Sequence, residues 1–176
     1  IIATNYAYKY QSSVEKLILL NSTLFMEDSL ENQWRYGAKL LDEEISQYTE
    51  VNSVLEKWQY VVNKLIERDL FYKLQYNHYE NYLRVNQVSN KIENFNTVMA
   101  NQAFNNTEYF TSYFDMTKEI FIPVLIITGD EDYAIEANHY KNFMFPNKEV
   151  KVIQGKHMIY LENNEEFTAV IRRFIE

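Results

Sequence analysis

Cysteine does not occur in the 176 residues of this chain, proline occurs twice and glycine three times. The missing thiols exclude disulfides, thiolate metal sites and a cysteine nucleophile within this stretch, and they suit a reducing cytoplasm, the expected location. Long basic runs are missing too. With 17 Lys and Arg against 25 Asp and Glu, the formal net charge is -8. Neither nucleic acid nor an anionic membrane is therefore expected as a partner, because phosphate is bound chiefly by Lys and Arg. No apolar run approaches the roughly 20 residues that cross a bilayer. The opening, IIATNYAYKY, has no basic segment followed by an apolar one, as an export signal would. A soluble protein is expected. Glycine usage lies far below the usual share of about 7%. Folds with many tight strand-to-helix turns need glycine there, so either such turns are few or the glycine-rich part lies elsewhere.

What is present is patterned. Ile2, Tyr6 and Tyr10 have helical spacing with no capping residue ahead of them, as if the text began in mid-helix. VEKLILLN (14–21) reads as a buried strand with an almost continuous aliphatic run. Asp28 and Glu31 sit like a capping pair ahead of a helix carrying Leu30, Trp34, Leu41 and Ile45. A second helix puts Val54, Leu55, Trp58, Val61, Val62, Leu65 and Ile66 on one face. From Asp28 to about Met116 the pattern stays helical, without proline and with Gly37 as the one glycine. Beyond it, PVLIIT (123–128) predicts a strand, IEANHYKNFMF (135–145) a short helix and EVKVI (149–153) a strand. NNEEFTAVIRRFIE (163–176) predicts a helix capped by Asn163 or Asn164, with Glu165 and Glu166 in its first turn and a stripe of Phe167, Val170, Ile171, Phe174 and Ile175. Strands separated by helices predict an α/β fold with a parallel sheet, the middle helices being an insertion between two of its strands. There is no internal repeat and no low-complexity linker.

In an open parallel sheet, ligands and catalytic groups gather at the carboxyl ends of the strands. Gly129, Asp130, Glu131 and Asp132 follow one predicted strand; Gly155, Lys156 and His157 follow the next. A carboxylate and an imidazole delivered from neighbouring strand ends can meet, the acid fixing the tautomer of the imidazole and stabilising its charged form. Such a pair is the supporting half of a nucleophile system.

PVLIITGDEDYAI followed by VKVIQGKHMIYLENNEEFTAVIRRFI resembles the C-terminal end of the α/β-hydrolase fold family, where an acid lies three residues after a strand-end glycine and a glycine-flanked histidine precedes the last helix. On this chain the resemblance puts the acid at Asp132 and the histidine at His157. IIATNYAYKYQSSVEKLILLNST is similar to the helix that follows the family's nucleophile elbow and the strand after it. The resemblance implies a post-nucleophile helix and core strand in 1–23, a helical cap in 24–118, and C-terminal core strands and helices in 119–176. The nearest likeness is to the proline iminopeptidase-like branch.

One departure matters. The elbow, G-x-S-x-G, occurs nowhere in the chain; Ser12, Ser13 and Ser22 flank the first strand without the glycines it needs. The resemblance places the elbow and the oxyanion donors ahead of Ile1, together with on the order of 100 residues of further sheet if each βαβ unit takes about 30. The glycine deficit then has a cause, since the glycine-rich turns belong to that part.

Each assignment has a plainer rival. Asp132 could be a loop acid beside Asp130 and Glu131, with Asp130 the main competitor for the acid role. His157 could be a solvent-facing histidine. His139 reads as a surface residue of an amphipathic helix, and His78 as packed or exposed within an aromatic segment. Trp34, Trp58, Tyr72, Tyr76, Tyr79 and Tyr82 read as cap core, and Glu80, like Glu43, Glu44 and Glu67, as a charge on a solvated helix face.

The expected protein is a serine hydrolase acting on a small ester or amide, a proline iminopeptidase-type aminopeptidase being one form of it. Asp132 and His157 are its catalytic candidates, and the nucleophile lies upstream. An aspartate nucleophile is the alternative chemistry. No cofactor and no metal are expected. The expected partners are a small-molecule or short peptide substrate and the N-terminal half of the fold. The rival reading is a non-catalytic fragment or binding module, self-associating as a homo-oligomer through an open sheet edge.

Overall fold

The computed structural model describes residues 1–50, 53–94 and 96–176. Its sheet has three parallel strands, β1 (Leu17–Leu20), β2 (Val124–Gly129) and β3 (Lys148–Ile153), in the order β1-β2-β3 among the described residues. Leu17 faces Val124 and Leu20 faces Ile127 in one pair; Val124 faces Lys148 and Gly129 faces Ile153 in the other.

The central strand β2 is buried at all six positions, because both of its edges are paired and both of its faces are covered. Successive side chains of a strand point to opposite faces. Val124 and Ile126 pack with Leu17, Leu19, Phe143 and with Ala7 of α1 (Ile2–Lys9). Leu125 and Ile127 pack on the other face with Ile153, Ile159 of α6 (Ile159–Glu162) and Val170 of α7 (Asn164–Ile175). In β1, Leu17 and Leu19 are buried whereas Ile18 and Leu20 are half-buried. The expected continuous burial of this strand gives way to alternation: Leu17 and Leu19 are buried on the Ala7 face, while Ile18 and Leu20 on the Val170 face are only partly covered.

Between β1 and β2 in sequence lie α2 (Met26–Leu40), α3 (Val54–Glu67), α4 (Tyr79–Ser89) and α5 (Val98–Ala103). Trp34 and Ala38 of α2 bury against Val61 and Leu65 of α3, with Leu41, Tyr48 and Leu74 completing the cluster. The start of α2 differs from the sequence expectation. Phe25 occupies the N-cap position, and Glu27 and Asp28 lie inside the first turn, where carboxylates complement the helix dipole. Glu31 does not reach back to a cap; it accepts from Trp34 Nε1 at 2.7 Å. The helix also stops before Ile45, as Asp42 takes a φ of 59°, which Asp tolerates better than most residues. In α3, Ser53 Oγ accepts from the Glu56 N–H at 3.1 Å, a helix cap that fixes its start.

The helix expected over 135–145 shrinks to a single 3-10 turn, His139–Asn142. Glu136 has a φ of 83°, which no helix accommodates, and the preceding N–H groups are turned toward Asp132, as described below. Before α7, Asn163 supplies no side-chain cap bond; its Nδ2 donates to Glu166 Oε2 at 3.3 Å. Phe167, Ile171 and Phe174 lie half-buried on the sheet, and Ile175 is exposed. Among the described residues no helix is long and apolar enough to cross a membrane.

Candidate active site

β2 and β3 end side by side, so the loops leaving them start in contact. The Asp130 N–H donates to Ile153 O at 3.0 Å and the Glu131 N–H to Gly155 O at 3.1 Å. The Gly155 N–H in turn donates to Asp130 Oδ1 at 2.8 Å. This stitching leaves no room for a side chain at 129, where a Cβ would stand 2.3 Å from Gly155 O and 2.5 Å from Lys156 O. Gly155 has a φ of 138°, a conformation open to glycine and strained for L side chains.

The close approach brings Asp132 and His157 together. Asp132 Oδ2 lies 2.9 Å from His157 Nδ1, and Oδ1 lies 3.2 Å from the same atom. The Asp132 side chain is fully buried, while that of His157 keeps 26% of its surface exposed. Two backbone donors hold the carboxylate from the other side: the Ala134 N–H at 2.9 Å and the Ile135 N–H at 3.2 Å, both on Oδ1. A carboxylate only accepts, so Nδ1 carries the proton and Nε2 presents its lone pair. No hydrogen bond from the described residues reaches His157 Nε2. The arrangement is an oriented imidazole able to take a proton from a neighbouring hydroxyl.

Asp130, the rival acid, is exposed and serves the loop through Gly155. An Asp130→Asn variant keeps a carbonyl acceptor for that N–H, and its turnover is expected to stay within about threefold of wild type. A collapse of turnover in this variant would move the acid role to Asp130.

A residue that the sequence reading passed over, Asn21, also sits here. It follows β1, has a φ of 40° and is 7% exposed. Its N–H donates to Ile127 O at 2.9 Å, its Oδ1 accepts from the Gly129 N–H at 3.1 Å, and its Nδ2 donates to His157 O. A polar residue closing an aliphatic strand was its only sequence signal.

The stretch around His157 is fastened to the helical segment above the sheet. Lys156 Nζ donates to Lys73 O at 2.7 Å and the Met158 N–H to Gln75 O at 3.1 Å. Glu162 accepts from the N–H groups of Asn77 at 3.0 Å and His78 at 3.1 Å, at the start of α4. Burial lowers the pKa of the Lys156 ammonium, with Glu131 and Glu162 opposing the effect. Tyr133 stacks on Tyr36 with ring centroids 3.6 Å apart. Burial, with Tyr133 and Glu131 nearby, pushes the Tyr36 hydroxyl up to about 12.

The other candidates fall elsewhere. His139 is not the surface residue its amphipathic spacing suggested: it is 1% exposed, and Nε2 accepts from the Leu24 N–H at 3.2 Å. Burial drives its pKa from 6.5 down to about 4, against the opposing charge of Asp132. A folded state that resists protonation loses stability as pH falls from 6.5 toward 4, since the unfolded chain binds the proton first. This side chain alone is expected to make the protein about 2 kcal/mol less stable at pH 5 than at pH 7. Urea unfolding at the two pH values, with His139→Gln flattening the difference, checks it.

His78 and Glu80 are exposed. His78 lines a surface hollow of about 420 Å³ with Asn77, Asp130, Glu131 and Glu162, a hollow that neither Asp132 nor His157 lines. Ser12 and Ser13 form part of a 3-10 turn, and Ser22 Oγ donates to Leu20 O at 2.9 Å. Among the described residues no group of His, Cys, Asp and Glu is arranged to hold a metal ion.

Comparison with known proteins gives these features a context. The family model described as the alpha/beta hydrolase fold matches residues 1–164. No curated protein matches the chain. Among solved structures, an alpha/beta fold family hydrolase from Bacillus anthracis str. Sterne is similar, with a TM-score of 0.64 at 13% identity, covering 98% of this chain and 63% of that one. MenH from S. aureus gives 0.57 at 25% identity, covering 99% and 63%. A proline iminopeptidase from Mycobacterium smegmatis gives 0.53 at 18% identity, covering 98% and 60%. The chain thus spans about 60% of the length of the structures it matches.

Proposed function

The chain belongs to the α/β-hydrolase fold family, and from that premise we propose that it carries the acid and the general base of a serine hydrolase acting on a small ester or amide. The observation that carries this reading is the buried Asp132 carboxylate held 2.9 Å from Nδ1 of a partly exposed His157. The nucleophile is a serine outside these 176 residues. That placement is supported by the lack of any G-x-S-x-G in the sequence and by the chain's spanning about 60% of the structures it resembles.

His157 Nε2 takes the proton from the serine hydroxyl as its oxygen bonds to the acyl carbon. The imidazolium, paired with Asp132, returns that proton to the departing alcohol or amine. Water then repeats the sequence, releasing the acid and restoring the serine. Asp132 stays ionised throughout and keeps the proton on Nδ1 in the resting state. Amide hydrolysis at a peptide N-terminus is the narrower form of the proposal, supported by the likeness to a proline iminopeptidase.

A second reading has one observation in its favour: β1 has no partner on its outer edge among the described residues. A chain acting alone would pair that edge with a second copy, as a binding module without catalysis. Denaturing intact-mass measurement before and after a fluorophosphonate, which labels activated serines, separates the two. One adduct on a polypeptide that contains or accompanies this sequence supports the hydrolase. Absence of an adduct from every polypeptide that contains or accompanies this sequence in the natural protein overturns it.

A further inference from the structure

We propose that Asn21 is the positioning residue for His157, holding the imidazole at the height of Asp132 through the main chain. The proposal rests on reading His157 as the general base. His157 follows β3 in a loop, and a loop by itself leaves its side chains free to shift. Two things limit that freedom on the β2 side: the stitching of Asp130 and Glu131 to Ile153 and Gly155, and the crowding at Gly129. Both act before residue 157. The hydrogen bond to the His157 carbonyl comes from Asn21 Nδ2, across the sheet from the end of β1, while the N–H of the same peptide unit, that of Met158, goes to Gln75 O at 3.1 Å.

Asn21 is suited to this span for a physical reason. Its φ of 40° lies in the left-handed region, which Asn occupies more readily than most residues. In that conformation its backbone still completes the β1–β2 ladder at Ile127. The side-chain amide then uses its two ends separately: the oxygen takes the Gly129 N–H at 3.1 Å and the nitrogen gives a proton to His157 O. One buried side chain thereby ties the ends of all three strands to one another. Asp132 leaves β2 just after Gly129, so fixing Gly129 and His157 to the same amide fixes the separation between carboxylate and imidazole.

The test reads the pair directly and needs no turnover, so it can fail independently of the proposed hydrolase activity. The chain has three histidines, and nitrogen-15 NMR with His157→Gln for assignment identifies the Nδ1–H of His157. Asn21→Gly keeps the backbone conformation without strain and removes the amide. Asn21→Asp keeps an acceptor for Gly129 and sets a carboxylate oxygen against His157 O where the donor stood. In both, solvent exchange of the His157 Nδ1–H is expected to quicken by about tenfold, the scale of one lost hydrogen bond to a neutral partner. The resonances of His139, whose Nε2 takes the Leu24 N–H just beyond Asn21, are expected to stay unchanged, because neither variant alters that backbone. Wild-type exchange at His157 in either variant would overturn the proposal. So would parallel loss of the His139 signals in both, because Asn21 would then hold the sheet as a whole.

Discussion

Asp132→Asn is expected to lower kcat by roughly 10⁴-fold, with little change in KM or in stability, in the form of the protein that carries the nucleophile. The geometry gives the reason. Asn retains an oxygen for the Ala134 and Ile135 N–H groups that now bind Oδ1, so the loop keeps its shape. Its amide nitrogen then replaces Oδ2, 2.9 Å from His157 Nδ1. Two donors cannot face each other, so the imidazole turns its Nδ1 lone pair to the amide and carries its proton on Nε2. The nitrogen that must accept the serine proton is then already protonated. His157→Ala should fall as far by removing the base altogether, and the two changes together should cost scarcely more than one, because they disable a single unit. Steady-state kinetics beside thermal unfolding checks this. Turnover by Asp132→Asn within about tenfold of wild type would remove Asp132 from the mechanism.

Gly129→Ala is expected to destabilise the protein by about 3 kcal/mol or more, at the upper end of what overpacking produces. The added methyl would meet two backbone oxygens, at 2.3 and 2.5 Å, and backbone, unlike a long side chain, cannot swing aside. Relief requires the β2 end and the His157 loop to move apart. That motion weakens the bonds from Asp130 and Glu131 N–H to Ile153 and Gly155 and separates Asp132 from His157. A variant that still folds should therefore lose both stability and the carboxylate–imidazole pair. Denaturant unfolding combined with the Nδ1–H signal of His157 measures the two losses. Wild-type stability in Gly129→Ala would mean that the loops are not packed as described.

Much of this arrangement was legible from the residues. Alternating strand and helix patterns give the α/β class and the parallel sheet. The order of acids after one strand and a histidine after the next brought the strand ends forward, the family resemblance picked out Asp132 and His157 among them, and the fold places these two 2.9 Å apart. Local patterning went wrong where a tertiary demand overrode it. The segment 135–145 has helical spacing, yet Asp132 takes the N–H groups of Ala134 and Ile135 and Glu136 turns to a φ of 83°, leaving one 3-10 turn. His139 has the spacing of a surface position and is buried, because without a helix the amphipathic face it was assigned to does not exist.

The sequence by itself determined the class of fold, the lack of thiols within these 176 residues and the residue types available at the strand ends. Those follow from periodicity and composition, which are properties of neighbours along the chain. The family resemblance pointed to Asp132 over Asp130, but periodicity and composition did not separate them; the contact with the imidazole appears in the tertiary structure. The stitching of two loops turns Asp130 toward the Gly155 N–H and Asp132 inward, which supplies the physical reason for a choice between side chains two positions apart. Asn21 was placed by tertiary structure alone. Its partners, Gly129 and His157, lie 108 and 136 residues further along the chain, and only the parallel register of three strands brings them within reach of one amide.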